Sequence, residues 1–98
     1  VLPPGEETVM PKFHFNIDDG ASAPDVDGTE LKSFAVAKCE AMQMAGRIIC
    51  DAAESFWDQE RWTMTVTDED GLTLLTLDIV GVEAPAGQLL TQAHLEHA

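Results

Sequence analysis

Cations are scarce in this sequence: five Lys and Arg stand against eighteen Asp and Glu in 98 residues, a formal net charge of −13. Each phosphate contact needs a cation, so the composition excludes nucleic acid and anionic membranes as partners. It leaves a solubilising acidic surface, open to a basic partner or to divalent cations. Cysteine is nearly absent. Cys39 and Cys50 fall on one expected helix, eleven positions apart. The corresponding rise of about 16 Å is too long for a disulfide, so both are expected to be free thiols. No apolar run approaches the roughly 18 residues of a membrane span, and no secretory signal peptide is recognisable. The expected compartment is therefore the reduced cytoplasm. A glycine-rich phosphate loop is missing, and none of Ser22, Ser33 and Ser55 sits in a nucleophile elbow. Neither cysteine lies at a helix N-terminus or beside an identifiable base. No catalytic residue and no cofactor is assigned. Nothing in the residues supports catalysis, and activity is not legible in the sequence.

What is present begins with a hairpin. Trp62, Met64 and Val66 alternate with Thr63, Thr65 and Thr67 at the period of two that separates the faces of a strand. Asp68-Glu69-Asp70-Gly71 reads as a type I turn, with an Asp accepting hydrogen bonds and Gly71 at positive φ in a G1 bulge. In the second arm Leu72 and Leu74 keep one phase while Leu75, Leu77 and Ile79 keep the other. One face cannot hold both sets, so a β-bulge near Leu74-Leu75, or a strand buried on both faces, is expected.

Upstream, Phe13, Phe15 and Ile17 alternate with Lys12, His14 and Asn16 in a first strand, which Asp18-Asp19-Gly20 ends. Residues 21–26 offer a short second strand, demoted to an edge by Pro24. Ser33 caps a helix expected from Phe34 to about Glu54. At 100° per residue, Phe34, Ala37, Ala41, Met44, Ala45, Ile48 and Ala52 share the face expected to pack on the sheet, and Glu40, Gln43, Arg47, Asp51 and Glu54 lie on the opposite flank. A third arc holds Ala35, Cys39, Met42, Gly46, Ile49, Cys50 and Ala53. This apolar surface exceeds what one sheet contact needs. It is either a seam for a second copy or another protein, or a face covered internally by the loop carrying Phe56 and Trp57 or by the tail.

Domain organisation follows. Residues 1–9 lack periodicity and are expected to be disordered. Gly5-Glu6-Glu7 would be encoded by a purine run resembling a bacterial ribosome-binding site, so translation is expected to begin at Met10; intact mass of the protein from its native host tests this. Residues 10–80 form one α+β domain of order β-β-α-β-β, one long helix packed on a three- or four-stranded antiparallel sheet. Residues 81–98 read as a flexible tail with a helical turn over 88–94, and Leu95-Glu-His97 resembles the start of a vector-derived tag. A core of about 70 to 75 residues yields only a few kcal/mol, which leaves self-association open.

Metal chemistry has little to stand on. Aligned on Gly28 or Gly71, an EF-hand loop would need ligands at Ala23 or Val66 and at Phe34 or Leu77, and none of these can serve. His14, Asn16 and Asp18 share a strand face, which makes His14, Asp18 and Asp19 the only metal candidates, with one histidine among them.

Met10-Pro-Lys-Phe-His-Phe15, Asp27-Gly-Thr-Glu-Leu31, Ala37-Lys-Cys-Glu-Ala41, and Trp62-x-x-x-Val66-Thr-Asp-Glu-Asp-Gly71 with Leu74-Leu-Thr-Leu77 resemble a family of small alphaproteobacterial domains of unknown function. Its members typically begin Met-Pro-Arg-Tyr/Phe-Phe-Phe and carry Asp-Glu-x-Gly-x-Glu-Leu-Pro-Asp before the helix. The resemblance covers about residues 10–80 and implies a bacterial source and a start at Met10. Lys32 and Ser33 replace the usual Pro-Asp, leaving a workable cap. It brings no catalytic residues. The expected function is a small interaction or regulatory module acting by self-association or protein binding; the alternative is a divalent-cation-binding or small catalytic domain using the acidic turns and His14.

Overall fold

The computed structural model describes residues 10–19 and 22–97. The expectations placed on residues 1–9 and Ala98 lie outside them. The chain folds as β1 (Lys12–Asp18), β2 (Thr29–Glu30), α1 (Phe34–Asp51), α2 (Ala53–Gln59), β3 (Arg61–Thr67), β4 (Thr73–Val80) and α3 (Pro85–His97). The strands form one antiparallel sheet in the order β2-β1-β3-β4. This is the expected α+β class with four strands, but the helical content is divided into three.

The sheet has one dry face. Phe15 pairs with Val66 and Ile17 with Met64 across β1 and β3, and Met64 pairs with Leu77 across β3 and β4. Their side chains therefore line up on the side where α1 lies. Ala37, Ala41 and Ala45, all buried, bring α1 down onto Phe13, Phe15, Trp62, Met64 and Val66. The alanines allow a close approach, and the larger sheet side chains supply the apolar area, each worth about 1.5–3 kcal/mol when fully buried. Met44 and Ile48 flank this core, and Phe34 stacks on Phe13 with ring centroids 6.4 Å apart.

The hairpin forms as its residues dictate. Gly71 N donates to Asp68 O at 3.1 Å, Asp68 Oδ1 accepts from Asp70 N and Leu72 N, and Gly71 has φ +85°. Val66 pairs with Leu75 but Thr67 pairs with Thr73, so Leu74 is the extra residue of a bulge. The bulge resolves the phase conflict. Leu75, Leu77 and Ile79 turn towards the core, while Leu72 and Leu74 are exposed; the strand is not buried on both faces.

Three boundaries differ from expectation. The second strand is Thr29–Glu30, paired with Lys12 and Phe13, and not residues within 21–26; Ser22 to Val26 run beside β1 without joining the ladder. The long helix begins at its Ser33 cap, whose Oγ accepts from Val36 N at 3.2 Å, but yields at Ala52 (φ −105°, ψ 25°) before resuming as α2. Phe56 and Trp57 therefore stand on a helix rather than a loop. Glu60, in the left-handed conformation, turns the chain into β3. In the tail, a helix runs from Pro85, longer than the turn expected over 88–94.

Candidate functional site

The outer arc of α1 was the leading candidate surface. Ala35, Cys39, Met42, Gly46 and Cys50 of α1 are all exposed, Met42 at 59%, and so is Ala53, which lies past the kink as the first residue of α2. Ile49 is the exception. It lies at the margin of the arc nearest the sheet, packs against the core and is half-buried. A Cβ built on Gly46 meets nothing within 4 Å. Phe56 and Trp57 do not cover the arc. They form an edge-to-face pair, 5.5 Å between centroids, over the backbone of Gly81, whose N–H donates to Glu60 O at 2.9 Å.

The acidic turns hold backbone. Asp25 Oδ2 accepts from Phe15 N and Oδ1 from Gly28 N, each at 3.0 Å. Asp25 N donates to Asn16 Oδ1 at 2.9 Å, and His14 Nδ1 donates to the Asp25 carbonyl at 2.7 Å. Burial pushes the Asp25 carboxyl up, but the hydrogen bonds from Phe15 and Gly28, the His14 charge and the Asp27 amide together hold it below its ordinary value. Gly28 sits at φ +71°, and a Cβ there would come within 2.7 Å of Lys12 Cγ and 2.9 Å of His14 Cε1. His14 and Asp18 are four residues apart on β1, about 13 Å at the usual strand rise. Asp19 accepts from Ser22 N at 2.7 Å and Ser22 Oγ at 2.8 Å. His14, Asp18 and Asp19 are thus not brought together, and among the described residues no group of three or more His, Cys, Asp or Glu could hold a metal ion.

On the uncovered face of the sheet, Arg61 grips Asp78 through Nε at 3.0 Å and Nη2 at 2.6 Å, and Thr63 Oγ1 donates to the same carboxylate at 3.0 Å. The hydrogen bond from Arg61, with that from Thr63 and the Arg61 charge, holds the Asp78 carboxyl below its ordinary value against the opposing effect of desolvation. Where α1 gives way to α2, a cleft of 310 Å³ is lined by Ile48, Ile49, Phe56, Trp62 and the charged Asp19 and Arg61. Trp62 is buried, and its Nε1–H meets no hydrogen-bond partner among the described residues.

A family described as a domain of unknown function, DUF6894, matches residues 12–81. The chain belongs to that family. No curated protein and no solved structure matches it. The DUF6894 match runs from the first residue of β1 to Gly81, so it takes in the whole sheet, α1 and α2 and leaves α3 outside. Among the described residues of the DUF6894 protein, no helix is long and apolar enough to cross a membrane.

Asp25 reads locally as a turn residue, but in the fold its reach is longer. Its Oδ1 bond to Gly28 was legible in the Asp-x-x-Gly spacing, whereas the bond to Phe15 crosses ten positions and needs the loop folded back on β1. The Arg61–Asp78 pair, seventeen positions apart, depends on the register of β3 with β4. No local signal marks it.

Proposed function

We propose that this DUF6894 domain is an interaction module, acting by self-association or by binding another protein, with the outer arc of α1 as its contact surface. One observation supports the reading: α1 needs a single stripe to pack on the sheet, yet it carries a second apolar arc that stays open to solvent. Met42, Cys39, Cys50 and the small Ala35, Gly46 and Ala53 allow a partner backbone to approach closely, and desolvating them costs no buried charge. The cytoplasm of a bacterium is the setting in which its free thiols persist.

Cys39 and Cys50 are free and exposed on this surface, which makes them native reporters. Their alkylation rates, measured by mass spectrometry, are expected to fall as the protein is concentrated or when a host extract is added, and Met42→Glu is expected to abolish that protection while leaving the melting temperature within about 2 °C, as for surface substitutions of small effect. Rates that stay constant under both conditions, with Met42→Glu indistinguishable from the wild type, sink the arc as a contact surface.

A further inference from the structure

We infer that the free edge of β4 pairs with the β4 of a second copy, joining two sheets into one of eight strands. The inference shares with the proposed function the premise that the chain self-associates, but it places the second copy on a surface distinct from the α1 arc.

The two edges of the sheet are treated differently. On the β1 side, β2 is only two residues long, and beyond it Asp25 and Asn16 clasp the returning loop against β1, with Asp25 taking the Phe15 amide. That edge is short and plugged. β4 is eight residues long and last in the strand order, so among the described residues the backbone groups along its outer side have no strand to meet. Exposed edges are commonly protected by lysine, proline, bulges or charge. From Leu75 to Val80 there is no lysine and no proline, the bulge lies before this segment, and the one charge, Asp78, is already held by Arg61. Despite a net charge of −13, two such edges would meet without bringing unpaired carboxylates together.

The strand is also complementary to itself. A two-fold axis normal to the sheet makes the contact isologous and antiparallel, with facing residues on the same side of the sheet. Centred on Leu77, such a pairing sets Leu75 against the partner's Ile79 and Leu77 against the partner's Leu77 on the helix side, where all three are only half-buried in one copy. On the other side it sets Thr76 against the partner's Asp78, and Leu74, 38% exposed, against the partner's Val80, Val80 being 55% exposed. Moving the pairing centre from Leu77 to Asp78 sets Asp78 directly against its own copy, like charge on like charge, and moving it to Thr76 sets Leu74 against Asp78, where the leucine takes water from the carboxylate. Asp78 therefore favours the centre on Leu77 over both of its neighbours. The axis leaves both α1 helices on the same face, so the dimer would present two outer arcs side by side.

Position 74 opposite position 80 gives a register-specific test on the full chain by light scattering at tens of micromolar, with circular dichroism melts to confirm folding. The wild type is expected at twice the chain mass, and the L74K/V80K variant at half the wild-type value because two lysine pairs face each other. The L74K/V80E variant is expected to restore the dimer through opposite charges at the same two sites. A monomeric wild type overturns the inference, as does a dimer indifferent to L74K/V80K. In that last case, dissociation by Met42→Glu would assign the contact to the α1 arc and leave the proposed function standing. Monomers for both double variants would overturn the register and with it the pairing. A dimer that survives Met42→Glu but obeys the charge swap supports β4 alone.

Discussion

Asp25 shows how much of this fold depends on one side chain. A two-residue β2 cannot hold the connection to β1, and the Asp25 carboxylate supplies bonds to Phe15 N and Gly28 N in its place. Replacing Asp25 with Ala leaves both amides without that acceptor, and we expect a loss of about 1–3 kcal/mol, read as a lower urea midpoint with unchanged slope. Because the carboxyl is held below its ordinary value in the folded protein, it binds fewer protons there than in the unfolded chain. Its contribution is complete above the unfolded pKa and declines as the pH falls below about 4, through the lowered folded value. The wild type should therefore lose stability over that acidic window more steeply than Asp25→Ala, and parallel urea titrations across it check the sign. Gly28→Ala tests the same knot from the other side. Its positive φ alone costs a side chain about 1–2 kcal/mol, and Lys12 and His14 must also shift to admit the methyl group.

Among the elements, α1 is built with opposite requirements on its two apolar faces. Towards the sheet it is closed: Ala41 is 2% exposed, and Ala41→Leu should overpack the layer and cost about 1–3 kcal/mol. Away from the sheet it is open. Gly46 lies in the middle of the helix, and among the described residues nothing comes within 4 Å of where a Cβ would stand, so Gly46→Ala should stabilise by about 0.5–1 kcal/mol through helix propensity alone. Thermal or urea unfolding of the two variants is expected to move in opposite directions. A loss on Gly46→Ala would mean that a backbone approaches there in solution, which would itself support the arc as an interface. The bulge at Leu74 and the kink at Ala52 are the other decisive local events: the first puts Leu75, Leu77 and Ile79 in one phase, and the second points Phe56 and Trp57 at Gly81 and not over the arc.

For the whole molecule, charge works against both compactness and association. With eighteen acids and five bases, self-repulsion outweighs the two ion pairs seen among the described residues, Arg61–Asp78 and Glu40–Arg47. Raising sodium chloride from low to physiological strength should therefore raise the melting temperature, since screening acts mainly on repulsion. Calorimetry at several salt concentrations checks this, and a fall would show that the ion pairs matter more than the net charge. The sheet-facing stripe of α1, the Ser33 cap, the Asp68–Gly71 turn and the bulge were legible because each is written within a few consecutive residues. Strand order, the β2 position and the Asp25 clasp were not, since they depend on which segments meet across ten or more positions.

That division of information follows from physical range. Periodicity, capping and turn chemistry act over one or two turns of chain, so an acidic α+β domain with an amphipathic helix and a hairpin in phase conflict could be read from consecutive residues. Coverage is a property of neighbours distant in sequence. It took the folded chain to show that, among the described residues, the outer arc of α1 stays open and β4 ends the sheet with an unplugged edge, and that Asp25 and Asp68 turn their oxygens to backbone amides.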